Sequence, residues 1–539
     1  MSAVVLPGVR LLQPLDEGER WVVENPAGER FGVSPDVASI LVYLQRVPDI
    51  SAAGGRFGED NVRNVVTMLS GCQVLRDDNA APICASNKRR HEWGRLRVNS
   101  LFSIQVTILK NPSRIFAPFA NFDFRKWMIA AAAALAIAFA GLIGIAADGA
   151  SFVQDLAAPQ SISSYFEMLL MMVFVISLHE YAHGAVLNSF GGQVSRIGVM
   201  LLYLAPACFC DVSDGWRLSS KKRMAVAAAG IISTFMLAGV CSLLRYLPGA
   251  PSFMASLVAS LYVGAVINAI PTVKFDGYIA LMAWREQPFL RSNAMRQWKI
   301  VVSDLLSGNL AEAFRNATRT AAYGVLCSLT PLVFVYSLFA VCDATLGSSG
   351  IGAIANALLL WLMLAMVIHG WVQIIRSSAN STDRVRGRLS TRAIVCSVVV
   401  FLVTLLFPVH VTSATSYASE SNGTLTLLSP YGEELPIGET LIIQQQGLMG
   451  TRIVGTARVE GSTHAALVPA GIYSPAIAWP QMTDIEVRAQ DAAVDAAEGA
   501  TVPAFGRVVW DDGQSSLAEW LYRQLVLRPF KALAMTFQH

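Results

Sequence analysis

The feature that most constrains this chain is its series of long apolar runs. A helix needs about 20 apolar residues to cross about 30 Å of hydrocarbon. Such runs stand near residues 127–147, 165–190, 224–246, 253–272, 321–343, 350–375 and 392–409, which predicts about seven membrane spans. The stretch 196–210 is apolar but short, and Pro206 breaks it. It is expected as a hairpin or re-entrant element, because irregular backbone at membrane depth must be buried in protein or line a cavity. Composition agrees: 54% of residues are hydrophobic and 15% charged, where a soluble chain carries about 25% charged residues. A disordered protein is excluded, and an ordinary soluble enzyme is disfavoured.

The scarce cations orient the predicted spans. Arg217, Lys221, Lys222 and Arg223 fall in one set of loops, with Arg285, Arg291, Arg296, Lys299, Arg315, Arg319, Arg376, Arg384, Arg386, Arg388 and Arg392. The opposite loops, 148–164, 247–252 and 344–349, carry no Lys or Arg, and Arg245 near a span end is the exception. By the positive-inside rule the cation-bearing loops are cytoplasmic. The N-terminus lacks an apolar core of signal-peptide length, so it is expected inside and residues 410–539 outside.

Four regions follow. Residues 1–85 read as a small α+β domain resembling a winged helix. Strands are expected at Arg20–Asn25 and Glu29–Val33, and a helix after Ser34 carries the stripe Val37, Ile40, Leu41 and Leu44. Seven Arg against eleven Asp and Glu make this domain acidic, so nucleic-acid binding is not expected. Residues 86–126 are basic and aromatic and read as a juxtamembrane connector lying on an anionic leaflet. Residues 127–409 form the transmembrane domain. Residues 410–539, rich in Thr, Val and turn residues, read as an all-β domain ending in an amphipathic segment at Leu517–Leu533. Eight cysteines include no CxxC pair, and none lies beyond Cys396.

The chemistry concentrates in two motifs. The second span contains His179-Glu180-Tyr181-Ala182-His183, an HExxH sequence. On a helix, i and i+4 share one face, so both imidazoles can reach one ion. Glu180 sits beside them, free to accept a proton from an activated water and pass it to a leaving amine. Ionisable groups inside a span are costly, so they mark function by default; the alternative is a polar packing cluster. The fourth span ends Asn268-Ala-Ile-Pro271-Thr-Val-Lys-Phe-Asp276-Gly277. Pro271 breaks the helix and Gly277 allows a sharp turn, so Asp276 can be aimed inward as a third ligand. Alone, Asp-Gly at a helix end is more often a turn.

Together, HExxH and NxxPxxxxDG resemble the site-2 protease family of intramembrane zinc metalloproteases. The resemblance implies one Zn²⁺ held by His179, His183 and Asp276, with Glu180 as general acid/base. It also implies that Asn268, with Pro271 and Gly277 beside it, positions substrate backbone. The N-terminal domain resembles the PqqD-like peptide-recognition module, in which a leader peptide adds as a strand. The whole layout, with Pro206-Ala-x-x-x-Asp211-Val-Ser-Asp214-x-Trp216, is similar to peptide zinc metalloproteases of ribosomal peptide clusters, daptide-type clusters among them. It implies a bacterial plasma-membrane endopeptidase that removes the leader of a precursor peptide, with a companion exporter as a further partner. Two rival readings remain: regulated cleavage of a membrane-anchored transcription regulator, and a non-enzymatic peptide exporter or immunity protein with a structural metal.

Several residues stay open. His369 can line the site or pack as a core histidine. Asp211 and Asp214 can cap a turn near Trp216 or border substrate entry. Cys208 and Cys210 reach a metal only if the short apolar element folds inward.

Overall fold

The computed structural model describes residues 3–16, 21–26, 30–77, 91–93, 96–100, 103–202, 205–287, 289–346, 350–377, 406–420, 423–429, 434–478, 483–495 and 502–536, with isolated positions between 391 and 403. Its contacts divide it into two compact units. One comprises Met1–Phe139, Leu170–Gly239 and Leu261–Gln287; the other comprises Ala140–Leu169, Val240–Ser260 and Pro288–His539.

In the first unit, β1 (Ala3–Val5) pairs antiparallel with β5 (Leu75–Asp77). A separate antiparallel sheet runs β2 (Arg10–Leu12), β3 (Trp21–Glu24), β4 (Arg30–Val33). Helices α1 (Pro35–Arg46), α2 (Ile50–Phe57) and α3 (Glu59–Gly71) complete this region. Ser34 starts α1: its Oγ accepts the Val37 N–H at 3.3 Å, and Pro35 fills a position where no amide is needed. Ile40, Leu41 and Leu44 bury one face of α1 against Val23, Val33, Val62 and Leu69. The strands β1 and β2 and the helix α2 were not foreseen; each is short and leaves little periodicity.

The segment after β2 is clasped to the start of a later helix. The Leu15 N–H donates to the Arg217 carbonyl at 2.9 Å, and Arg217 Nε donates to the Gln13 carbonyl at 2.7 Å. The Ser219 N–H and Lys222 Nζ donate to the two carboxylate oxygens of Asp16, at 2.8 and 2.5 Å. Burial pushes the Asp16 carboxyl up, but these donors outweigh it and hold the group below the usual carboxylate range.

The basic stretch expected as a connector carries strands: β6 (His91–Trp93), β7 (Leu96–Ser100) and β8 (Ser103–Lys110). Helix α4 (Ser113–Phe116) follows. β8 pairs antiparallel with β10 (Arg196–Leu202), which pairs with β11 (Ala205–Cys210), so one sheet runs β11-β10-β8-β7-β6. The short apolar element 196–210 is thus the β10–β11 hairpin. The alternation Ser103-Ile-Gln-Val-Thr-Ile is a strand pattern, which the surrounding charge obscured.

The long helices are α5 (Phe124–Ala147), α7 (Ile162–Ser189), α8 (Ser220–Leu244), α13 (Arg319–Leu346) and α14 (Gly350–Ser377). All five are long and apolar enough to cross a membrane. Phe139, Ile143, Phe174, Val333 and Leu358 on them are each more than half exposed. Such a surface is unfavourable in water and favourable in lipid. The protein is therefore a membrane protein with a β domain. Between these helices lie α6 (Gly149–Ala157), α9 (Met254–Ala269), α10 (Asp276–Arg285), α11 (Leu290–Ser307) and α12 (Leu310–Asn316). The span expected at 253–272 is the 16-residue α9, which ends ahead of Pro271. The span expected at 392–409 lies mostly outside the described residues.

In the second unit, β12 (Pro408–Ser419), β13 (Thr424–Leu428), β14 (Thr440–Gln446), β15 (Thr451–Val459), β16 (His464–Pro469), β18 (Asp484–Asp495) and β19 (Phe505–Ser516) form one sheet in the order β13-β12-β19-β14-β15-β18-β16. Pairing of β13 with β18 closes it into a barrel around Tyr417, Leu425, Leu441, Ile443 and Val508. Closure pairs strands that would otherwise be edges, while β16 pairs with β18 alone and stays at an edge. Two-residue strands β9 (Gln160–Ser161) and β17 (Ile477–Ala478) pair in parallel. Beyond β19 the chain is helical from Leu517 to Thr536.

Candidate metal centre

Helix α7 delivers His179 and His183 one turn apart, both buried. Asp276, the first residue of α10, faces them. His179 Nε2 lies 2.9 Å from Asp276 Oδ2, His183 Nε2 lies 3.3 Å from the same oxygen, and the two Nε2 atoms are 3.3 Å apart. Ligands on a tetrahedral Zn²⁺ at about 2.0–2.1 Å stand about 3.3 Å from one another. Two imidazole nitrogens and one carboxylate oxygen at these separations fit such an ion. Among the described residues this is the single group of three or more His, Cys, Asp or Glu with that convergence.

Helix α8 sets the imidazoles. Val226, Gly230 and Thr234 recur every four residues, so they share one face. The Val226 carbonyl takes the His183 Nδ1–H at 2.7 Å. Thr234 Oγ1 lies 2.9 Å from His179 Nδ1 and donates its own hydrogen to the Gly230 carbonyl at 3.0 Å. A hydroxyl has one hydrogen, so Thr234 must accept from Nδ1–H of His179. Both rings therefore carry their proton on Nδ1 and turn a bare Nε2 lone pair inward, the usual outer support of a metal-binding histidine. Between them Gly230 supplies room. A Cβ there would lie 2.3 Å from His183 Nε2 and 2.6 Å from His179 Nε2.

Asp276 is aimed by the break between α9 and α10. Asn268 lies half-buried in the last turn of α9, and half-buried Pro271 follows the end of that helix. Gly277 packs directly on the end of α9: a Cβ would lie 2.2 Å from the Ala269 carbonyl oxygen. Only a residue without a side chain lets α10 start there. The structure brings Asp276 into the cluster with His179 and His183. Among the described residues, no side-chain hydrogen bond or ion pair gives Asn268 a role.

Glu180 Oε2 accepts the Cys210 N–H at 2.9 Å. The outermost strand of the five-stranded sheet thus touches the carboxylate of HExxH. The Cys208 thiol lies 3.3 Å from Ser177 Oγ, and neither cysteine joins the metal-type cluster. Asp211 accepts from Arg196 Nε at 3.0 Å and from Ser213 N and Oγ, which starts the turn that carries Trp216. Asp214 is buried and accepts the Gln193 N–H and Arg217. His369, on α14, is exposed and lies 2.6 Å from Gln373 Nε2.

A cavity of about 330 Å³ opens on Glu180, His183 and Asp276, with Asp211, Trp216 and Arg223 in its wall. Val226, Gly230, Thr234, the Cys210 amide and Arg223 escaped the sequence reading. The small residues spaced by four in Gly230-Ile-Ile-Ser-Thr234 were the available signal, since such spacing marks close approach in apolar helices.

No family model, curated protein or solved structure matches the chain.

Proposed function

We propose that the protein is an intramembrane zinc metalloendopeptidase of the site-2 protease type. One observation carries the reading: two Nε2 lone pairs and the Asp276 carboxylate converge at zinc-ligand spacing beside Glu180 and a cavity. His179, His183 and Asp276 would hold the ion. Zinc, when bound, supplies Lewis-acid polarisation of the scissile carbonyl and acidifies water. Glu180 takes the proton of the attacking water on its carboxylate and returns it to the leaving amine. The Cys210 N–H orients that carboxylate. Val226 and Thr234 fix the ring tautomers, so no ring needs to reorganise on metal binding. The outermost strand β11 offers an edge on which an extended peptide can lie, which suits hydrolysis because a helical peptide hides its backbone.

The substrate we infer is a ribosomally made precursor peptide whose leader is held by residues 1–85. The clasp of Gln13, Leu15 and Asp16 on Arg217, Ser219 and Lys222 supports this, because it ties that region to the turn bordering the cavity. On this reading the chain lies in the bacterial plasma membrane with about seven spans, its N-terminus in the cytoplasm and its barrel outside.

The test compares wild type with Glu180→Gln, purified in detergent, on unfolded casein by mass spectrometry. Wild type should cleave, and Glu180→Gln should keep one zinc per chain and lose cleavage by about 10²-fold or more. Equal cleavage by both proteins would sink the reading.

A further inference from the structure

The wall of the cavity holds a cation that the peptidase reading does not use. Arg223 stands in the first turn of α8. Its Nε is buried and makes no hydrogen bond, and one terminal nitrogen donates to the Trp216 carbonyl at 3.5 Å, the outer limit of such a bond. The guanidinium carbon lies 5.9 Å from the Trp216 ring centroid. Among the described residues it forms no ion pair. The carboxylates in the same wall have other roles: Asp276 faces the two Nε2 atoms as the third donor of the candidate metal centre, Glu180 accepts the Cys210 N–H, and Asp211 accepts from Arg196 and Ser213.

Helix stability does not explain this residue. A cation in the first turn opposes the helix macrodipole. Membrane topology does not require it in the cavity either, because exposed Lys221 serves that purpose and Lys222 is held by Asp16. A guanidinium has five donors, and leaving the buried Nε–H without a partner is costly, while the terminal nitrogens remain open to the cavity. The group that fits best is a carboxylate, whose two oxygens match the guanidinium fork.

We propose that Arg223 is a specificity residue that binds a carboxylate of the peptide seated at the metal centre. This rests on the peptidase reading for its substrate class. The carboxylate is either an Asp or Glu side chain near the scissile bond or the free C-terminus of the peptide.

The test measures binding rather than cleavage. Zinc-loaded full-length chain carrying Glu180→Gln is placed in lipid nanodiscs. The probes are fluorescent Ala/Leu octapeptides in which a single Glu is moved along the sequence, each made with a free or an amidated C-terminus. At least one Glu position, or the free C-terminus, should tighten binding about tenfold over the neutral amide. Adding Arg223→Gln should erase that preference, Arg223→Lys should restore part of it, and Arg223→Glu should favour the same peptides with Lys in place of Glu. The Glu arm and the C-terminal arm identify which carboxylate is read. No carboxylate preference in the Glu180→Gln chain, or an equal preference after Arg223→Gln at equal zinc content, overturns the proposal. Failure of wild type to hydrolyse casein bears on the peptidase reading alone, because binding is measured without hydrolysis.

Discussion

Gly230 and His183 touch where a side chain would otherwise stand: a Cβ on Gly230 would fall 2.3 Å from His183 Nε2. The backbone of α8 thus forms one wall of the candidate metal centre. Replacing Gly230 by Ala must push both rings out of register. We expect Gly230→Ala to lower zinc affinity about 10–100-fold and to cost about 1–3 kcal/mol of stability from overpacking. Metal content of the purified variant, read beside its thermal unfolding, checks this; full zinc occupancy would contradict it.

Thr234 would act on a bound metal through His179. Thr234→Val keeps the shape and removes the acceptor for Nδ1–H. Zinc affinity should fall about 10–100-fold, while Thr234→Ser should stay near wild type. Titration against a competing chelator measures both, and a Val variant as tight as the Ser variant would refute the tautomer assignment.

The bond from the Cys210 amide to Glu180 separates backbone from thiol. Cys210→Pro removes the N–H on an outer strand, where proline is tolerated. Cys210→Ala keeps the N–H and removes the sulfur. A charge-assisted hydrogen bond of about 1.5 kcal/mol corresponds to about a tenfold change in rate. We therefore expect casein cleavage to slow about tenfold in the Pro variant at unchanged zinc content, and to persist in the Ala variant. The reverse ranking would assign the role to the thiol.

Asp16 should give the clasp a pH dependence of definite sign. Its carboxyl is held below the ordinary value, which is about 3.9. A depressed folded-state value stabilises the fold at pH above the unfolded value, and this is lost as pH falls through the folded one. Asp16→Asn should lower stability by about 1–2 kcal/mol at neutral pH. The gap between wild type and variant should close as pH falls below about 4. A gap that widens in acid would refute the assignment.

The cluster of His179, His183 and Asp276 was legible in the sequence where it rests on local spacing. His179 and His183 share a face because a helix repeats every 3.6 residues, and Asp276 follows a proline break that the chain states openly. The N-cap at Ser34 and the apolar stripe of α1 were legible for the same reason. What could not be read depends on contacts far apart in the chain. Thr234 stands 55 residues from His179 and bonds it, and no local pattern announces such a partner. The strand β8 sat in a stretch whose positive charge suggested a membrane surface. Its period-two alternation was present, but its partner β10 lies two apolar helices away.

That separation bears on how the protein is made. β8 leaves the ribosome first and then waits while α5 and α7 are synthesised, because β10 follows both. Only after β10 and β11 emerge can the sheet close and Cys210 meet Glu180. Non-local pairing of this kind is slow, since the intervening chain must be ordered before the contact forms. The carboxylate of HExxH is thus seated late in synthesis, and a half-made chain with both histidines already in lipid still lacks Asp276. On the proposed reading the metal site stays incomplete until the polypeptide has grown past residue 276, because its third ligand is made last.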